Sequence, residues 1–185
     1  MDLHHALATR RTIQRYDGQP VPDEVLDKAF AAAHLAPCHK LTWPWRFTVL
    51  GPEGRTALLE TAIRMNIAKK GGDPEKVEAR VRSRLGSAGA LVLVTQVLDD
   101  DAHRREEDYA ATACAIQNLM LSLHDQGYGS KWSTGGFTTA PDTYGLLGVD
   151  PAAERVVGCI LVGKALAEAN VPRRTPIAEH VRRLP

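Results

Sequence analysis

The sequence predicts a single α+β domain in which helices surround one mixed or antiparallel sheet. Helical and strand patterns are mixed along the 185 residues without a regular strand-helix alternation, which favours this class over a doubly wound fold. A hydrophobic content of 44% and a charged content of 24% are typical of a globular chain. No internal repeat or linker interrupts the pattern, so the predicted domain spans residues 1–185.

Periodicity predicts the elements in chain order. Apolar residues at three- and four-residue steps are typical of helices, whereas short alternating or wholly apolar runs bounded by glycine and proline are typical of strands. The predicted helices cover residues 3–10, 22–36, 54–69, 73–85, 104–126 and 139–147. The predicted strands cover residues 45–50, 89–96 and 154–163. The strand over 89–96 is apolar throughout, which predicts a central strand covered on both faces.

Three further segments lack a regular pattern. Residues 69–72 are expected to form a connection, and residues 127–137 a glycine-rich loop that brings backbone N–H groups close to a ligand. The tail from Pro172 onwards is basic and marked by prolines. It has too little apolar sequence to fold alone, so we expect it to pack on something else, such as a second subunit.

Composition and motifs argue against several classes of function. A net charge of +1 gives no reason to expect nucleic acid, and the longest apolar run, 88–95, is too short to cross a membrane. The sequence contains neither a Rossmann glycine pattern nor a Walker loop nor Gly-x-Ser-x-Gly. Its three cysteines, Cys38, Cys114 and Cys159, form no Cys-x-x-Cys pair. No disulfide framework or metal site is therefore expected, and the predicted compartment is a reducing cytoplasm.

The sequence also argues against a thiol nucleophile at Cys38. His39 follows it directly, but side chains of neighbouring residues usually point apart, which makes a poor nucleophile-base pair. The same stretch argues against a metal site, because Pro37 interrupts the helix that would align His34 with Cys38. A half-buried structural cysteine is expected instead.

Four separated segments together suggest a flat, anionic ligand. They are Arg10-Arg11-Thr12, the proline- and tryptophan-rich stretch 36–47, the loop 131–136 and the tail pair Arg173-Arg174. Each alone fits an ordinary role as solvated arginines, core aromatics or a turn. Together they offer cations and a hydroxyl for a phosphate, donors for pyrimidine carbonyls and an apolar slot for a ring, which flavin mononucleotide (FMN) requires.

These segments resemble the nitroreductase family, whose opening reads Arg-Arg-Ser, Pro-Val-Pro, Ala-Pro-Ser and Gln-Pro-Trp. The matching motifs here are Arg10-Arg11-Thr12, Val21-Pro22, Ala36-Pro37 and Pro44-Trp45-Arg46-Phe47. His39-Lys40 and Trp132-Ser133-Thr134-Gly135 fit the short, minimal flavin reductases of this family. The resemblance covers nearly the whole chain.

The resemblance implies an intertwined α+β homodimer with FMN at the subunit interface, each site built from both chains. It implies an NAD(P)H-dependent oxidoreductase that takes hydride from NADH or NADPH and reduces nitroaromatic, quinone or similar small acceptors by a ping-pong mechanism. The alternatives on the same fold are other flavin chemistry, such as oxidation or dehalogenation, and non-catalytic flavin binding. In each case the flavin carries the chemistry, and no catalytic side chain is required.

The resemblance also assigns site residues by position. The cofactor-binding candidates are Arg10, Arg11, Thr12, His39, Lys131, Trp132, Ser133, Thr134 and Arg173, with Arg174 as the alternative in the tail. His39 would come from the other subunit. Leu41 and Trp43 stand where relatives carry polar residues and are the substrate-slot candidates, while Cys38 replaces a serine and Gln14 a lysine. Because these exchanges remove polar ring contacts, Arg15, His39 or Lys131 is expected to supply donors instead.

Overall fold

A computed structural model describes residues 1–70 and 73–184 and places six helices around one four-stranded sheet. The helices are α1 (Leu3–Thr9), α2 (Asp23–His34), α3 (Pro52–Lys70), α4 (Pro74–Val81), α5 (Ala102–Asp125) and α6 (Pro141–Leu147). The strands are β1 (Trp45–Val49), β2 (Ala90–Val97), β3 (Gly129–Ser133) and β4 (Glu154–Gly163). Short 3₁₀ turns cover His39–Leu41, Gly136–Thr139 and Ile177–His180, and a π-helical turn covers Arg82–Gly86. The predicted α+β class is confirmed.

The sheet has the order β1-β2-β4-β3, and all three strand pairs are antiparallel. Strand β2 is central, as its apolar sequence predicted. Because side chains alternate along a strand, Val92 and Val94 enter the core on one face of the sheet, and Leu91 and Leu93 enter the core on the other.

Helices cover both faces of the sheet. On one face α2 packs against α5, where Ala29 and Ala33 of α2 are fully buried beside Ile116 of α5. Small side chains on α2 let the two helix axes approach closely. On the other face α3 and α4 bring Leu58 and Val81 onto the sheet. The core is thus two apolar layers that share one sheet.

Helix starts follow the capping residues in the sequence. The side chain of Asp2 accepts a hydrogen bond from the His5 backbone N–H at 2.9 Å, as the sequence predicted. Asp73 accepts from the Glu75 N–H at 3.0 Å, and Pro74 occupies the first turn of α4. Such side-chain acceptors satisfy backbone donors that the first helical turn leaves unpaired.

Two predicted boundaries differ from the structure. Residues 127–137 were expected as a loop, but Gly129–Ser133 forms β3 because the open edge of β4 offers a row of hydrogen-bonding partners. Gly127 has φ 76° and follows the end of α5, as expected of its cap position. The helix predicted over 73–85 leaves α-helical geometry after Val81 and continues as the π-turn. Of the connection expected over 69–72, residues 71 and 72 lie outside the described part of the chain.

The tail after β4 has little structure of its own. Residues 166–184 are almost entirely exposed and contain a single short 3₁₀ turn over Ile177–His180. Among the described helices, none is both long and apolar enough to cross a membrane.

Candidate functional site

The segment between α1 and α2 is fixed to the outer edge of the sheet. The Ile13 backbone N–H donates to the Ser130 carbonyl at 3.1 Å, and Thr12 and Ser130 form an isolated parallel bridge. The buried Tyr16 hydroxyl donates to the Leu161 carbonyl at 3.2 Å. Burial raises the pKa of Tyr16, so the phenol remains a neutral donor. Residues 10–15 are therefore held beside β3 in one register.

A cavity of about 690 Å³ lies between this segment and the tail. Four arginines line it, namely Arg10, Arg11, Arg15 and Arg174. Burial lowers the pKa of Arg10, and the positive charges of Arg11 and Arg174 lower it further. Glu168 also lines the cavity but forms no ion pair with these groups in the part of the chain that the structure describes. We call this space the guanidinium cavity.

The hydrogen bonding of Arg11 leaves one buried donor atom without a partner among the described residues. Its Nη1 atom donates to the Arg10 carbonyl at 2.7 Å. Its Nε atom is buried and has no partner among the described residues. A buried donor without an acceptor is costly, and an anion in the guanidinium cavity would supply one.

A second cavity, of about 320 Å³, lies around the end of β3. Lys131, Ser133, Gly135 and Gly136 form one wall of it. A side chain at Gly135 would collide with the Phe137 ring, because an ideal Cβ there lies 2.9 Å from Phe137 Cε1. Glycine is therefore needed at this wall. We call this space the slot.

Lys131 connects the two cavities. Its Nζ donates to Gln14 Oε1 at 3.0 Å, and Gln14 lines the guanidinium cavity while Lys131 lines the slot. Burial lowers the pKa of Lys131, and the charge of Arg84, which also lines the slot, lowers it further. The guanidinium cavity and the smaller slot thus meet at one lysine.

The remaining candidates of the β3 segment take other positions. Because alternate residues face opposite sides of a strand, Trp132 points away from the slot and packs on the core between the sheet and α5. Its Nε1 donates to the Val157 carbonyl at 3.3 Å. Thr134 follows the end of β3 and is exposed. In the tail, Arg174 lines the guanidinium cavity, whereas Arg173 is exposed beside it and is not part of its wall.

The loop 38–43 carries the other three candidates, His39, Leu41 and Trp43, and it does not line either cavity of its own chain. Lys40, Leu41 and Trp43 have φ values of 60°, 56° and 46°. Left-handed geometry costs a residue other than glycine about 1–2 kcal/mol. The loop nevertheless leaves Leu41 66% and Trp43 38% exposed.

A short hydrogen-bonded chain holds this loop in its strained form. The Thr42 hydroxyl donates to Oδ1 of the buried Asp108 at 2.6 Å. The Trp43 N–H donates to Cys38 Sγ at 3.3 Å, and Arg46 Nη1 donates to the Trp43 carbonyl at 2.9 Å. Cys38 is half-buried, as expected from the sequence. These contacts fix the loop against α5 and direct its exposed side chains outward.

Sequence reasoning missed the basic residues of α4 and its π-turn. The alternating charges that include Arg80, Arg82 and Arg84 are typical of a solvated helix face. Arg82 fits that expectation because its Nε pairs with Glu78 Oε1 at 2.6 Å. Arg80 and Arg84 instead line the slot. Their spacing of four residues, which puts two side chains on one helix face, was the available signal.

Comparisons with known proteins concern the family and the fold of this chain. The family model for the nitroreductase family matches residues 7–164. A Bacillus subtilis (strain 168) protein named "Putative NAD(P)H nitroreductase YfhC" is 29% identical over 178 residues, which cover 96% of this chain and 91% of that protein. The crystal structure of a nitroreductase-like family protein from Bacillus cereus superposes with a TM-score of 0.84 at 26% identity, covering 100% of this chain and 96% of that one. A Desulfovibrio desulfuricans structure titled as a putative nitroreductase in complex with FMN shares the fold, with a TM-score of 0.75 at 24% identity, and covers 100% of this chain and 98% of that one.

Proposed function

The chain belongs to the nitroreductase family and is a nitroreductase-type oxidoreductase, and we propose that it uses bound FMN to transfer hydride from NADH or NADPH to nitroaromatic, quinone or similar small acceptors. The observation that carries this proposal is the uncompensated guanidinium cavity joined through Lys131 to the slot. The FMN complex of the Desulfovibrio desulfuricans protein and the name of the Bacillus subtilis relative support the choice of cofactor and hydride donor.

The residues of the guanidinium cavity fit a phosphate. Arg10 and Arg11 would hold it together with the hydroxyl of Thr12, and the orphaned Nε of Arg11 would gain its acceptor. Arginine forks match the geometry of phosphate oxygens. From the tail we propose Arg174 in preference to Arg173, because its charge already acts on Arg10.

The residues of the slot fit a flavin ring. Ser133, Gly135 and Gly136 would run along the ring, and the position of Trp132 behind β3 would support that strand from the core. When bound, FMN supplies the hydride-accepting and hydride-donating chemistry. Lys131 and Arg84 place fixed positive charge beside the slot, which stabilises negative charge that reduction puts on the ring. Donor and acceptor would occupy the slot in turn, which gives ping-pong kinetics.

We also propose that the working form is a homodimer. The exposed tail carries several apolar side chains, namely Leu166, Val171, Ile177, Val181 and Leu184. The loop 38–43 adds the exposed side chains of Leu41 and Trp43, and a second copy that packs on the tail and the loop would bury these apolar residues. In this arrangement His39 of one copy reaches the cofactor of the other, and Leu41 and Trp43 border the acceptor there. Sedimentation of the purified protein tests this proposal, and a monomer in the presence of saturating FMN would refute it.

The absorption spectrum of the purified protein tests the cofactor. We expect a flavin spectrum that NADH or NADPH bleaches without oxygen and that nitrofurazone or menadione restores. A colourless protein that takes up no added FMN would overturn the proposal. Flavin that only oxygen or a halogenated substrate reoxidises would favour the other flavin chemistries, and flavin that neither nicotinamide reduces would favour a binding protein.

A further inference from the structure

Four cationic side chains from four elements of the fold converge on the slot. Lys69 comes from α3, Arg80 from α4, Arg84 from the π-turn and Lys131 from β3. Asn66 and Ser133 are the neutral polar residues of the lining, and the described residues that line the slot include no carboxylate. None of the four cations forms an ion pair with a described carboxylate.

Among the described residues, other basic side chains of the same helical segments do form ion pairs, so the lack of paired carboxylates is specific to the slot. Arg64 of α3 pairs with Asp142, and Arg82 pairs with Glu78. Both of these paired arginines line a different, shallow surface depression. Arg82 stands between Arg80 and Arg84 in the sequence, so the same short segment has a neutralised side and an unneutralised side.

Burial lowers the pKa of Lys131 in the slot, and the like charge of Arg84 lowers it further. The proposed flavin accounts for the positive charges of Lys131 and Arg84, because it would lie along the wall that includes Ser133. Lys69 and Arg80 remain, and both are exposed side chains on the two helices that face that wall.

The rest of the lining is apolar. Ala62, Met65, Val81, Leu85, Phe137 and Leu161 supply the other side chains of the slot. A small, flat molecule with one acid group therefore matches both the apolar surface and the charge.

We propose that the slot selects acceptors that carry an acid group on an aromatic ring, and that Lys69 and Arg80 are the specificity-determining residues that receive this group. The inference rests on the proposed function, since it names the acceptor class of the same site. The acid group lies toward the two helices, and the ring lies on the apolar surface against the flavin.

A pair of acceptors that differ only in charge tests the proposal. 4-Nitrobenzoate and 4-nitrobenzamide share the ring and the reducible group, so the ratio of their kcat/KM values reports the charge. We expect Arg80→Gln and Lys69→Gln each to lower the benzoate-to-amide ratio about fivefold, mainly through KM for the benzoate, as for the loss of one partly screened ion pair. The ratio of the unchanged enzyme should also fall as salt is raised.

Arg82→Gln is the matched control, because it removes the same charge from the same segment but from the ion-paired side. It should leave the ratio unchanged. The dissociation constant of the non-reducible benzoate, followed through the flavin absorption of the oxidised holoprotein, provides a reading that does not depend on turnover. We expect it to rise about fivefold in the two slot variants.

The outcomes separate this inference from the proposed function. If the amide is reduced normally but neither slot variant changes the ratio or benzoate binding, the inference is wrong and the function stands. If the variants change only the preference for NADPH over NADH, the cations serve the nicotinamide dinucleotide and the inference is equally wrong. If neither acceptor is reduced and no flavin binds, the proposed function fails first. Because Lys69 and Arg80 lie on different helices, misfolding of one variant leaves the other to decide.

Discussion

Replacing Arg10 by glutamine should have opposite effects on the free protein and on FMN binding. In the free protein Arg10 stands in a cluster with Arg11 and Arg174, and both lower its pKa. Removing one of three like charges relieves repulsion, so Arg10→Gln should leave the free energy of unfolding unchanged or raise it by at most about 1 kcal/mol.

The loss of affinity follows from the contacts of the guanidinium cavity. A phosphate held there would accept one charge-assisted hydrogen bond from each guanidinium group, and each such bond contributes about 1.5–3 kcal/mol. Removing the one from Arg10 should raise the FMN dissociation constant about 10- to 100-fold. Inorganic phosphate, which lacks the ring, should stabilise the unchanged apoprotein against heat and stabilise the variant less.

Two titrations check this prediction. Quenching of FMN fluorescence gives the dissociation constant, and thermal unfolding of the apoprotein gives the stability. Arg183→Gln removes an exposed tail arginine outside the cavity lining and is the control. The reasoning is refuted if Arg10→Gln binds FMN as tightly as this control, or if it loses FMN only because the apoprotein has become unstable.

Three further predictions concern the surroundings of the site. Gly129→Ala should weaken FMN binding about tenfold or more and lower stability by about 1–3 kcal/mol, because an ideal Cβ there lies 2.4 Å from Ile13 Cγ1 and would displace the segment that carries the arginines. Gly145→Ala, which meets nothing within 4 Å, should leave FMN affinity unchanged in the same titration, and equal effects of the two exchanges would contradict the packing argument. Burial, and then the nearby guanidinium groups, lower the pKa of His124 below 6.5. As the pH falls, the unfolded chain therefore protonates His124 before the folded protein does. The free energy of unfolding, measured by urea titration, should fall as the pH drops from about 6.5 toward the pKa of His124 in the folded protein. His124→Gln should reduce this dependence on pH, and a variant with an unchanged pH profile would disprove the assignment. Cys159 is fully buried, with its pKa raised to about 12, so a thiol reagent should leave it unmodified until denaturant is added, and three reactive thiols in the native protein would refute this.

The elements were predictable wherever one local pattern decided them. A few residues of sequence are enough to predict β2 from its apolar run and two helix starts from the capping aspartates Asp2 and Asp73. Strand β3 was not predictable in this way. Its sequence is glycine-rich and weakly apolar, and it becomes a strand because the edge of β4 pairs with it. That pairing joins segments about thirty residues apart, so no short window of sequence contains it.

The candidate site likewise has a part that a local motif suggests and a part that only the packed fold brings together. Arg10 and Arg11 could be proposed as an anion site from the sequence because they are adjacent at a helix end, but they suggested a ligand only together with the other segments. The assignment of charge to the slot could not be made, because Lys69, Arg80 and Lys131 meet only after α3, α4 and β3 have packed. Likewise the strand alternation that turns Trp132 into the core depends on the existence of β3, which the sequence did not indicate.

Three unfavourable features of the single chain have a common remedy in the proposed function. The guanidinium groups repel one another, the loop 38–43 holds Lys40, Leu41 and Trp43 in left-handed geometry, and the tail exposes apolar side chains. A phosphate neutralises the first, and a second copy that covers the loop and the tail compensates the other two. Since one cofactor would contact the guanidinium cavity of one copy and the loop of the other, FMN binding and dimerisation stabilise the same state and must strengthen each other. Dilution should therefore weaken FMN binding, and added FMN should tighten the dimer by the same factor.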